Sequence, residues 1–152
     1  MTVSFRRAEE SDLPAIVELL AADGLGRGRE RPGLPLDPAY LEAFAAMERQ
    51  GGNFYLLACH GEEVVGCLQL TFIPGLSRLG ALRAQIEGVR VHPGQRGGGI
   101  GEALFREAIA QAKAAGCSLV QLTTDRQRGE AHRFYERLGF EASHIGMKLK
   151  LD

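Results

Sequence analysis

Between Val89 and Gly101 the chain reads Val-Arg-Val-His-Pro-Gly-Gln-Arg-Gly-Gly-Gly-Ile-Gly, a β-rich run that passes through a Pro-Gly break into a glycine cluster opening a helix. A helix N-terminus carries unpaired backbone N–H groups and about half a unit of positive charge. Gly97, Gly98, Gly99 and Gly101 have no Cβ to hold an anion away, so a phosphate or pyrophosphate is the guest such a loop suits; the bland alternative is an ordinary strand–helix turn. A Walker A loop is excluded, because Gly99 is followed by Ile100 and Gly101 where Lys and Ser or Thr are needed. The dinucleotide pattern fails too, since Gly97 and Gly99 are followed three positions on by Ile100 and Glu102.

Two more side chains have the chemistry for proton transfer. Glu87 precedes Val89 by two positions, and strict alternation puts Glu87, Val89 and Val91 on one face. A carboxylate there is either desolvated and suited to act as a base, or it sits at the strand's solvent edge. Tyr135 belongs to a helical stripe with Ala131, Phe134 and Leu138, which core packing alone explains, although a buried hydroxyl needs a partner. His60, His92, His132 and His144 show no metal spacing, so no metal is expected. Cys59, Cys67 and Cys117 sit in apolar contexts without a C-x-x-C and read as reduced core residues of a cytoplasmic protein. No Ser-His-Asp or Cys-His arrangement is readable.

The elements that must position these groups follow from periodicity. Val3 and Phe5 alternate in a first strand; a helix capped by Ser11 carries Leu13, Ile16, Val17 and Leu20 on one stripe and ends at Gly24. Leu25 to Leu36, with Arg27, Arg29 and Arg31 among glycines and prolines, is expected to be a mobile loop. It is either solvated or able to close over an acceptor bearing a carboxylate or phosphate. Asp37-Pro38 starts a second helix, cap followed by proline, running to Gln50. Strands at Phe54–His60 and Val64–Ile73 form a hairpin, and a third from about Leu82 to Val91 leads to the glycine loop. The next helix presents Ile100, Leu104, Ala108 and Ala112 on one face, pairs Glu102 with Arg106, and stops at Gly116. A strand at Leu119–Thr123 after it implies a parallel crossover. A helix over Gly129–Leu138 and a strand over Ser143–Leu151, alternating Ile145, Met147, Leu149 and Leu151, close the chain.

The 152 residues are read as a single domain, 45% apolar and 24% charged. A net charge of −1 argues against nucleic acid, and neither a signal peptide nor an apolar run long enough for a membrane is present. The class is α/β: a mixed, mostly antiparallel sheet with a central parallel strand pair and helices on both faces.

Arg96, Gly99 and Gly101 form R-x-x-G-x-G, and Ala131, Phe134, Tyr135, Gly139 and Phe140 form A-x-x-F-Y-x-x-x-G-F one strand later. Together these motifs resemble the GNAT superfamily of N-acetyltransferases, and the element order extends the likeness over nearly the whole chain. The resemblance implies the GNAT fold and acetyl-CoA as co-substrate. It implies cofactor contacts from the strand end Val89, Arg90 and Val91, with the Val89 N–H polarising the thioester carbonyl. The pyrophosphate would rest on Arg96, Gly97, Gly98, Gly99, Ile100 and Gly101, with His132 and Tyr135 near the pantetheine arm. Many relatives carry an Asn before the last helix; here that place falls near Arg128, so the contact differs. Glu87 would be the general base, directly or through water, and Tyr135 the acid that protonates the thiolate.

The expected reaction is direct acetyl transfer in a ternary complex to a primary amine on a small molecule or peptide, the amine itself unidentified. A homodimer is left open. The alternative is a catalytically silent CoA-binding sensor or interaction module.

Overall fold

Asp37 shows how local chemistry sets the frame: its carboxylate accepts the Ala39 N–H at 2.9 Å and Pro38 follows it, so α2 (Pro38–Gln50) starts there, and it stops at Gly51. Such a cap is worth about 1 kcal/mol. The computed structural model describes residues 2–124 and 129–151. They fall into two compact units, 1–121 and 122–152.

In the first unit, β1 (Ser4–Arg7) leads through a short turn to α1 (Leu13–Ala21). Asp12, not the predicted Ser11, is the residue before α1, and its carboxylate makes no capping bond to that helix but closes the turn ahead of it. Asp12 accepts the Glu9 N–H at 2.7 Å and a two-pronged contact from the Arg6 guanidinium at 2.7 and 2.8 Å, a carboxylate site that a hydroxyl could not match. That grip holds the Asp12 carboxyl below its ordinary range. Strands β2 (Asn53–His60) and β3 (Glu63–Ile73) form the predicted hairpin, a single turn at Ser77–Gly80 (α3) follows, and β4 (Arg83–Val91) runs toward the glycine loop. Next come α4 (Ile100–Ala114) and β5 (Leu119–Leu122). The sheet order is β1-β2-β3-β4-β5, antiparallel through β4, with β5 parallel to β4.

Alternation along the strands sorts two cores. Leu57, Cys59 and Cys67 face α1 and α2, packing with Leu13, Ile16, Leu19 and Phe44. The opposite face takes α4, whose Ile100 side chain comes within 3.4 Å of where a Cβ on Gly66 would stand. The predicted α4 stripe is buried, with Phe105 added to it. Leu56, Leu57, Val65, Leu68 and Leu70 are wholly buried in the middle strands, each worth roughly 1.5–3 kcal/mol of burial.

The loop expected to be mobile is tied down at several points. Asp23 accepts the Gly26 N–H at 2.6 Å. The Tyr40 hydroxyl accepts the Arg31 N–H at 2.9 Å and donates to Glu30 at 2.8 Å, and the Arg31 guanidinium meets Asp37 at 3.0 Å. Anchors outside the loop, unseen in its composition, account for the difference.

In the second unit, α5 spans Gly129–Arg137, and Phe140 folds back so that its N–H reaches the Tyr135 carbonyl at 3.0 Å. The predicted final strand is not formed. Ile145, Met147, Leu149 and Leu151 are 85–91% exposed, and no strand among the described residues pairs with 143–151. Alternation supplies a face, but a strand also needs a neighbour to take its backbone hydrogen bonds.

Candidate active site

The loop before α4 is built as an open cradle. Gly99 is the residue preceding the helix, at φ 80°, and Gly97 has φ 85°; a side chain at either would be strained in this left-handed region. Nothing lies within 4 Å of a Cβ at either position, so the space beside the backbone is free. The first backbone bond of the helix runs from Ala103 N–H to Gly99 C=O at 3.0 Å, so the amides of Ile100, Gly101 and Glu102 come ahead of it, at the positive end of the helix. Ile100 is 6% exposed and offers only its backbone, while Arg96, Gly97, Gly98 and Gly99 are exposed. His92 closes the approach, its Nδ1 accepting the Gly94 N–H at 3.1 Å. These residues fit a pyrophosphate.

One strand earlier the ladder breaks. Gln69 pairs with Glu87 and Cys67 with Arg90, so Gly88 and Val89 together oppose the single residue Leu68. This is a β-bulge, in which one backbone unit is left without a ladder partner and the strand bends. Gly88 accommodates it at φ 60°. The expectation that Glu87, Val89 and Val91 share a face is therefore corrected: the extra residue shifts the alternation, and Glu87 shares its face with Arg90. Val91 pairs with Gly66 on the α4 face.

Glu87 is exposed, the solvent-edge alternative of the two expected, and its carboxylate is not left loose. It accepts Gln85 Nε2 at 2.8 Å, and Gln85 Oε1 accepts Gln121 Nε2 at 2.8 Å, a hydrogen-bonded row from β4 to β5. Arg90, expected only as a backbone contact for the cofactor, uses its side chain differently. Its guanidinium donates to the Val89 carbonyl at 2.9 Å and lies 3.1 Å from the Asp23 carboxylate, with 12% and 17% of the two side chains exposed. The buried Arg90 Nε–H has no well-aligned acceptor, so the Asp23 contact is one of charge more than of direction. Arg90 thus braces the bulge against the segment that begins the arginine loop.

Two other groups face this spot. Cys67 Sγ–H points at the Gly88 carbonyl, 3.8 Å away, and burial pushes its thiol up to about 12. Tyr55, in register with Gln69 and so with Glu87, places its hydroxyl 3.4 Å from where a Cβ on Gly88 would stand. Burial, then the nearby Cys67 and Glu87, raises its phenol well above the ordinary range. Neither Tyr55 nor Asp23 was singled out from sequence. The available signal was Gly88 itself, since an isolated glycine within a strand pattern marks a bulge or a close approach.

In the second unit, Tyr135 is half-buried, stacked edge-on with Phe134 at 5.6 Å and Phe140 at 6.1 Å. His132 is exposed on the same helix, and Arg128 lies outside the described residues. His144 accompanies Ser143, Oγ to Nδ1 2.6 Å. Among the described residues no helix is long and apolar enough to cross a membrane.

Comparison with known proteins places this geometry. The crystal structure of a transcriptional regulator from Bacillus halodurans C-125 is 51% identical, with a TM-score of 0.95 over 99% of this chain and 100% of that one. The glucosamine 6-phosphate N-acetyltransferase of Trypanosoma brucei brucei is 34% identical over 98% of this chain and 96% of its own length. The aminoalkylphosphonate N-acetyltransferase of Salmonella typhimurium is 36% identical over 70% and 69%. A family profile, Acetyltransferase (GNAT) family, matches residues 14–140, and with the bulged strand and glycine loop in place the chain belongs to the GNAT family of acetyltransferases.

Proposed function

We infer that the protein moves the acetyl group of acetyl-CoA to a primary amine by direct transfer in a ternary complex. The observation that carries this reading is the bulge at Gly88–Val89, which opens β4 just ahead of an anion cradle at the head of α4. Arg96 and the amides from Gly97 to Gly101 would hold the pyrophosphate, and the β4 end at Val89–Val91 would take the acetyl and pantetheine. Bound there, acetyl-CoA supplies the thioester carbonyl that the amine attacks.

The chain's own residues divide the remaining work. An amine with a lysine-like pKa of about 10.4 must lose a proton to attack, and Glu87, held by Gln85, accepts it directly or through water. The Val89 N–H, on the bulge, is the donor for the carbonyl oxygen as charge builds there. Arg90 keeps that peptide in place by holding the Val89 carbonyl. Tyr135 returns a proton to the departing sulfur.

The acceptor is proposed to be a small amine carrying a phosphate or phosphonate. Two relatives named for such acceptors support this, as do Arg27 and Arg29, exposed in the loop that follows α1. Because the Bacillus halodurans relative is described as a transcriptional regulator, the CoA-binding sensor is kept as a second reading.

Thiol release from acetyl-CoA, measured with glucosamine 6-phosphate, aminoalkylphosphonates, polyamines and peptide amines, separates the two. Turnover is expected, fastest with the anionic amines. Tight acetyl-CoA binding with no release for any amine would establish the sensor.

A further inference from the structure

Tyr55 is a polar group that the catalytic assignment leaves unused. It starts on β2, and neighbouring strands lie about 4.8 Å apart, so its ring must cross β3 to reach β4. It does reach: the hydroxyl is 3.4 Å from where a Cβ on Gly88 would stand, with Leu20 Cδ2 beside the same point at 3.6 Å. Gly88 has no side chain, so the hydroxyl rests against the bulge backbone one residue before Val89. Among the described residues the hydroxyl has no hydrogen-bond partner, and it is not wholly buried, so it is open to a molecule bound on that face.

The face on which Tyr55 lies is the second consideration. An amine that attacks a carbonyl beside Val89 and passes its proton to Glu87 has to approach on Glu87's face. The register places Tyr55 on that face, in one row with Gln69 and Glu87. The other polar groups there are engaged: Arg90 with Asp23 and the Val89 carbonyl, Glu87 with Gln85. Leu20 supplies an apolar wall.

We propose that the Tyr55 hydroxyl is the acceptor-side contact of the transfer site, accepting an N–H of the incoming amine and holding its lone pair on the thioester carbon. The proposal rests on the acetyltransferase reading above. Tyr55 keeps its own proton throughout, in keeping with the raised phenol. The N–C bond forms and the C–S bond breaks; the amine's proton goes to Glu87 and the sulfur takes one from Tyr135. Tyr55 therefore acts by position and not by acid–base exchange.

Tyr55→Phe keeps the ring and removes only this contact. Expected is a fall in kcat/KM for the amine of roughly threefold to tenfold, the worth of one neutral hydrogen bond. The acetyl-CoA Kd, the slow hydrolysis of acetyl-CoA without amine, and Tm should all be unchanged. Unchanged kcat/KM together with a raised Tm would overturn the proposal, marking a hydroxyl without use. A lowered Tm with weakened acetyl-CoA binding would overturn it as well, marking a packing role. A wild-type protein that turns over no amine defeats the acetyltransferase reading, and Tyr55's role with it. An active wild type matched by an equally active Tyr55→Phe defeats Tyr55 alone.

Discussion

The head of α4 and the bulged face of β4 lie a few residues apart in sequence and are built in opposite ways. At the head of α4, Gly97 and Gly99 face open space, and every participant lies between Arg96 and Glu102. At the bulge, Asp23, Tyr55, Cys67, Glu87 and Arg90 arrive from four segments, and most are half-buried and engaged. A local cradle needs only backbone and a helix end, so glycine spacing suffices to make it. Placing an amine, a base and a carbonyl relative to one another needs side chains from several strands, and only sheet register can bring those together.

That contrast predicts large kinetic effects at the bulge and binding effects at the cradle. Glu87→Gln should give the greatest loss, lowering kcat/KM by roughly a hundredfold to ten-thousandfold. The residual rate should climb with pH as more free amine appears. Retention of the wild-type rate would shift the base to ordered water, and the contrast between the two regions would weaken.

Gly99→Val comes next. A branched residue at φ 80° carries about 1–2 kcal/mol of strain and puts methyl groups into the cradle. Acetyl-CoA affinity by calorimetry should drop roughly tenfold or more, with the circular dichroism spectrum preserved. Unchanged affinity would show that the open loop holds nothing.

The smallest effect is expected from Arg27→Ala with Arg29→Ala, since exposed charges are screened. KM for phosphate-bearing amines should rise roughly twofold to fivefold, less at high salt, with no change in acetyl-CoA Kd. Arg31 is left in place because its guanidinium supports Asp37, the cap of α2. Equal KM values for anionic and cationic amines in both proteins would remove the loop from acceptor choice.

The cradle was legible in sequence because all its information is local: Arg96, Gly99 and Gly101 at fixed spacing after a valine-rich strand. The stripes on α4 and α5 were legible for the same reason. Glu87 was given the wrong neighbours, because one extra residue at Gly88–Val89 reverses the alternation beyond it. Arg90's hold on Asp23 joins positions far apart in the chain, and no periodicity announces it. The segment after Ser143 has a strand's pattern without a partner among the described residues, and pattern alone cannot say which edge would receive it.

Cys67 bears on the order of chemical events. Its sulfur lies against the bulge, 3.8 Å from the Gly88 carbonyl oxygen, where a two-step relay through an acetyl-cysteine would want a nucleophile. With burial pushing the thiol up to about 12, Cys67 stays protonated at neutral pH and lacks the thiolate that such a relay needs. Alkylating reagents should leave it unmodified in the folded protein. Initial-rate plots for the two substrates should then intersect, the pattern of a complex that holds both at once, in place of the parallel lines of a covalent relay.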